Sequence, residues 1–60
     1  MDNDKANAVT ALSNAKRTRA IEKVIENLGD DMLMALAAID TPSGEYAQSE
    51  AFDRGLGLAA

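Results

Sequence analysis

The eight residues from Met32 to Ile39, MLMALAAI, carry no charge and no hydrogen-bonding side chain. A helix that is apolar on every side needs neighbours on every side, so any fold of this chain must enclose that segment. Gly29, Asp30 and Asp31 precede it, and Asp40, Thr41 and Pro42 follow it. On a helical wheel its bulkiest side chains, Met32, Leu33, Leu36 and Ile39, fall together, while Met34 projects opposite them beside Ala37 and Ala38.

The chain has little else with which to enclose it. A protein of 60 residues hides only about 60% of the surface that its unfolded form exposes. Ile, Leu, Val and Phe together number 12, close to the roughly 20% below which chains tend toward disorder. Alanine supplies much of the remaining apolar content, and it favours helix strongly while burying little area. Help from oligomerisation or from a protein partner is therefore expected. There is no cysteine, so neither disulfides nor thiolate metal sites reinforce the core.

Ile21, Val24, Ile25 and Leu28 recur at i, i+3, i+4 and i+7, the signature of one apolar helical face. Lys16, Arg19 and Lys23 lie opposite. Glu22 and Glu26 flank them, at the spacing for pairs with Arg19 and Lys23. Val9 and Leu12 are out of phase with Ile21, so the first 12 residues read as a flexible end or a short helix of their own.

Between the two apolar segments, Gly29 suits the C′ position of one helix and Asp30 and Asp31 suit the start of the next. A competing count runs unbroken through the glycine: Thr18, Ile25, Met32 and Ile39 at a, with Ile21, Leu28 and Ala35 at d, describe a coiled coil over 13–39. After Ile39, Thr41 reads as an N-cap with Pro42 at the first helical position, and Gly55 as the stop. Residues 55–60 read as a flexible tail with Leu56 and Leu58 exposed. The fold class is all-α: a short helical hairpin or three-helix arrangement over about 13–28, 31–39 and 42–54, with one long helix over 13–39 as the alternative.

The chemical inventory is narrow. Without His or Cys the imidazole base, the thiolate nucleophile and the usual zinc sites are missing. No Gly-rich phosphate loop follows a strand. The expectation is a protein that is not an enzyme and has no cofactor, metal ligand or catalytic residue. With no apolar run of membrane-spanning length and no basic leader at the N-terminus, a soluble cytoplasmic protein is expected.

The stretch AKRTRAIEK holds Lys16, Arg17, Arg19 and Lys23 in a chain whose net charge is −4. These are the candidate contacts for phosphate or for an acidic partner. Arg17 stands apart because it lies on the apolar side of the wheel, one turn before Ile21, where its stem can cover the core edge or its head reach a partner's acid. No aromatic residue interleaves for base stacking, and two glutamates dilute the stripe, so nucleic acid is disfavoured. A helix-turn-helix centred on Gly29 is rejected, because Asp30 and Asp31 would open the recognition helix beside phosphates and the helix offers nothing to base edges.

The last three residues, Leu58, Ala59 and Ala60, resemble the end of the bacterial tmRNA-added degradation tag. There a terminal Leu-Ala-Ala is read by a protease unfoldase. The resemblance covers three residues and implies a degradation signal. Taken together, the residues point to a small non-catalytic interaction module of bacterial or viral origin, a regulator, inhibitor or assembly factor. Its expected contact surface is Ile21, Val24, Ile25, Leu28, Met32, Leu33, Met34, Leu36 and Ile39. A self-assembling structural subunit is the second expectation, and a phosphate binder through residues 16–23 the third.

Overall fold

In a computed structural model that describes residues 3–56, the chain forms four helices: α1 (Asn3–Asn14), α2 (Arg19–Glu26), α3 (Asp30–Ala37) and α4 (Pro42–Asp53). The α-carbon radius of gyration is 10.3 Å, the value of about 10 Å expected for a compact chain of this length. A continuous helix over 13–39 would be about 40 Å long, whereas the longest dimension is 27 Å. The all-α expectation holds, and the helix boundaries need correction.

The first correction lies upstream of Ile21, where the expected helix over 13–28 is divided. α1 occupies Asn3–Asn14, so the first 12 residues, read as a flexible end or a short helix of their own, form a helix that runs two residues past them, and residues 15–18 separate it from α2. Thr18 starts α2 from an extended backbone, its side-chain oxygen accepting a hydrogen bond from the Ile21 amide at 3.2 Å. That satisfies one of the amides a helix start leaves open. Val9 is buried and Leu12 packs beside it.

The second correction concerns Gly29. The chain does break there, but Gly29 is the N-cap of α3 at φ −66°, ψ 159° and has no left-handed geometry. Asp30 and Asp31 fill the first turn behind it, where their charge suits the helix dipole. α2 ends instead at Asn27, through short-range bonds from the Asn27 and Leu28 amides to the Val24 and Ile25 carbonyls.

Thr41 and Pro42 behave as read: the Thr41 hydroxyl caps α4 by accepting from the Gly44 amide at 3.0 Å. At the far end Gly55 has φ +75°, and the Gly55 and Leu56 amides bond the Phe52 and Ala51 carbonyls. This is a Schellman ending, which a residue without Cβ adopts at least cost. Leu56, read as exposed, packs against the core. Leu58, Ala59 and Ala60 lie outside the described residues.

The core is where α3 meets α4. Leu33, Leu36 and Ala37 of α3 face Ser43, Gly44, Ala47 and Ala51 of α4, all buried. Small residues at Ser43, Ala47 and Ala51, four apart, give α4 a low ridge onto which α3 settles closely. α1 reaches both, running parallel to α3: Lys5 in its first turn pairs with Asp31 at 2.8 Å, and the Ser43 hydroxyl donates to the Ala15 carbonyl beyond its end at 3.2 Å. The uncharged run that begins at Met32 in α3 therefore has α4 on one side and α1 on another. These two helices cover it in part: Leu33, Leu36 and Ala37 are buried, while Met32, Met34 and Ile39 are only partly so.

Candidate functional site: a mixed-charge cleft between α2 and α4

α2 attaches to the α3–α4 pair differently from α1. Ile25 is fully buried, and Ile21 and Leu28 pack beside it. The rest of the attachment is polar. Arg54, the C-cap of α4, donates to the Glu26 and Leu28 carbonyls at 2.8 Å each, to Asp30 at 3.0 Å and to Glu50 at 3.2 Å. One guanidinium thus closes the end of α2 and ties it to the start of α3. Its forked donors make that possible. Its hydrogen bonds to the Asp30 carboxylate, then to Glu50, hold its pKa above the ordinary arginine value.

Nearer the start of α4, Tyr46 forms a second attachment. Its hydroxyl donates to the Glu26 carboxylate, and its ring lies under the Arg17 guanidinium, 4.8 Å from carbon to centroid. Arg17 in turn donates from Nε to Glu22 at 3.0 Å. The hydrogen bond to Glu26, followed by desolvation and the surrounding carboxylate charge, pushes the Tyr46 phenol up to about 12. Glu22 and Glu26 therefore take partners other than the Arg19 and Lys23 expected from helical spacing.

Beside the Tyr46 attachment lies a cleft of about 300 Å³ lined by Arg19, Glu22, Lys23, Glu26 and Tyr46. The four α2 residues fall at i, i+3, i+4 and i+7, a single polar face, and Tyr46 supplies the opposite wall. Of the cationic candidates, Arg19 and Lys23 line the cleft, Arg17 is stacked on its tyrosine, and Lys16 precedes α2 outside it.

The apolar candidates are distributed otherwise. Ile25, Leu33 and Leu36 are fully buried in the chain's own core, so they offer nothing to a partner while it is folded. Ile21, Leu28, Met32, Met34 and Ile39 are partly buried against that core. Val24 is 46% exposed. Phe52, which helical phase alone places off the α4 face, is 77% exposed.

Arg54 and Tyr46 are the two residues sequence reading missed. Each depends on a partner at least 20 residues away, which no local spacing reveals. For Arg54 the one local signal is Glu50 four residues earlier. Among the described residues, no cluster of His, Cys, Asp or Glu can hold a metal ion, and no helix is long and apolar enough to cross a membrane. Comparison with protein-family models, curated proteins and solved structures gives no match.

Proposed function

We propose that this chain is a non-catalytic helical module that binds a protein partner through the outer face of α2 and the cleft it forms with α4. The observation that carries this reading is the composition of the cleft: cations, carboxylates and an aromatic wall on one concave surface. Val24, on the same helix, adds a half-exposed apolar contact. Protein interfaces combine such an apolar anchor with a polar surround, and aromatic and arginine side chains are enriched in them. The sequence offers neither imidazole nor thiol for catalysis. A small regulator, inhibitor or assembly factor needs no more than this surface.

A photocrosslinking residue placed at Val24, and separately at Phe52, tests the reading in cells of the source organism. Crosslinks from position 24 to one defined protein, competed by excess unmodified chain, are expected. If neither position yields a crosslink to another protein, the binding-module reading is lost. Phe52 favours a second reading, self-assembly, because its large apolar side chain is left in water on α4. Self-crosslinks confined to position 52, together with a dimer in light scattering that Phe52→Ser dissolves, would establish that alternative.

A further inference from the structure

We infer that the cleft between α2 and α4 seats an acidic side chain, Asp or Glu, of the protein partner, held between Arg19 and Lys23. The inference rests on the protein-binding reading above and specifies the chemistry of its partner. The argument turns on which charges in the cleft are already committed. Glu26 accepts the Tyr46 hydroxyl, the Tyr46 ring carries Arg17, and Arg17 donates to Glu22. Both carboxylates of the cleft are thereby hydrogen-bonded within the chain, Glu22 with its charge matched by Arg17 and Glu26 keeping its own beside a neutral phenol. Arg19 and Lys23 line the same cleft, are exposed, and form no ion pair among the described residues.

Spacing of i, i+4 brings these two cations to one surface, roughly 6 Å apart at their Cβ atoms. A single carboxylate fits between them, and the guanidinium offers it two parallel donors. The surroundings sharpen the preference. The chain as a whole carries −4, whereas in and beside the cleft Arg17, Arg19 and Lys23 outnumber Glu22 and Glu26 by one charge, and such local complementarity orients an acidic group on approach.

A nucleic acid is the poorer occupant. Single-strand binders stack bases on aromatic faces, whereas Arg17 already lies over a Tyr46 face and no other aromatic residue lines the cleft. A phosphodiester chain would also extend over an acidic surface, where a short acidic peptide segment places its charge locally.

The test is fluorescence polarisation with three labelled probes at low salt, about 50 mM, where screening is weak: octaglutamate, octaglutamine, and a deoxythymidine octamer. Octaglutamate is expected to bind in preference to both others. Arg19→Gln with Lys23→Gln should weaken it by roughly tenfold, the combined loss of two exposed ion pairs. Circular dichroism of the double variant controls for folding, since neither side chain contributes to the core. Two-dimensional NMR adds a local readout: the Arg19 Nε–H resonance should move on adding octaglutamate. Equal binding of octaglutamate and octaglutamine, an unaffected double variant, or tighter binding of the oligonucleotide each overturns the inference. If the position-24 crosslink to a protein persists in the double variant, the binding module stands and its acidic specificity falls.

Discussion

The α3–α4 pair and α2 are held in place by different physics. The first is a close apolar contact in which Gly44, Ala47 and Ala51 let two backbones approach, with Leu33 and Leu36 filling the space. The second has one fully buried side chain, Ile25, and otherwise relies on Arg54, Tyr46 and Arg17. Apolar packing has no charge to screen or titrate, whereas exposed ion pairs are screened. The two regions should therefore respond separately to perturbation, and the more loosely held one carries the candidate site.

The sharpest way to break the comparison is at Gly44. A Cβ there would lie 1.9 Å from the Ile39 carbonyl oxygen and 3.0 Å from that of Leu36. Both atoms belong to the backbone, so the helices must separate. Gly44→Ala should cost about 3 kcal/mol or more, measured by urea denaturation, and release every helix together. A stable variant would mean that the α3–α4 contact is looser than described.

Arg54→Ala tests the other region. It removes the donors that close α2 while leaving the α3–α4 core untouched. Amide hydrogen exchange should accelerate in α2 more than in α3 or α4, as expected for a unit that opens locally. Uniform acceleration would show that α2 and the core form one cooperative unit.

Tyr46 gives a smaller effect with a defined sign. Its neutral phenol donates to Glu26, so its folded pKa is raised from 10.0 to about 12. This contribution to stability is complete below about 10 and disappears as the pH rises through about 12. As the chain has one tyrosine, absorbance titration of the phenolate reads this contact alone. Glu26→Gln should return the midpoint toward the ordinary value, and a native midpoint near 10 would remove the contact from the description of α2.

The least effect is expected at Gly29. Because its backbone is extended and an added Cβ meets only the exposed side-chain oxygen of Asp31 at 3.2 Å, which can give way by a few tenths of an ångström, Gly29→Ala should change stability by less than about 0.5 kcal/mol. Gly29→Ser should gain a few tenths by supplying the missing cap. The matching variant Gly55→Ala, at φ +75°, should lose about 1 kcal/mol. Thermal melts of the three variants side by side would test these assignments.

This contrast between glycines marks what local sequence conveys. Thr41, Pro42 and Gly55 state their roles outright, since each pairs a specific backbone geometry with a residue suited to it. The phase of Ile21, Val24, Ile25 and Leu28 likewise gives the inward face of α2, except that Val24 is left half-exposed at its edge. The break before Thr18 is not legible, because residues 15–18 contain neither Gly nor Pro and no acidic residue follows at the position that would complete a capping box. The role of Gly44 is hidden for the opposite reason. A glycine early in a helix reads as weak propensity, whereas here it permits an approach set by Ile39 and Leu36. At the candidate site, the α2 polar face was readable from spacing, but the choice of Arg17 and Tyr46 as partners for the two glutamates required the tertiary fold.

The alanines between α3 and α4 carry a thermodynamic consequence of their own. Heat capacity of unfolding scales with the apolar area newly wetted, and an average chain of this length would show about 0.7–0.9 kcal/mol/K. With Ala37, Ala47 and Ala51 occupying core positions that larger side chains hold elsewhere, less area is exposed and the increment falls below that range. The stability curve is correspondingly flat and the thermal transition broad, so the partly open population changes gradually with temperature instead of appearing at a sharp threshold.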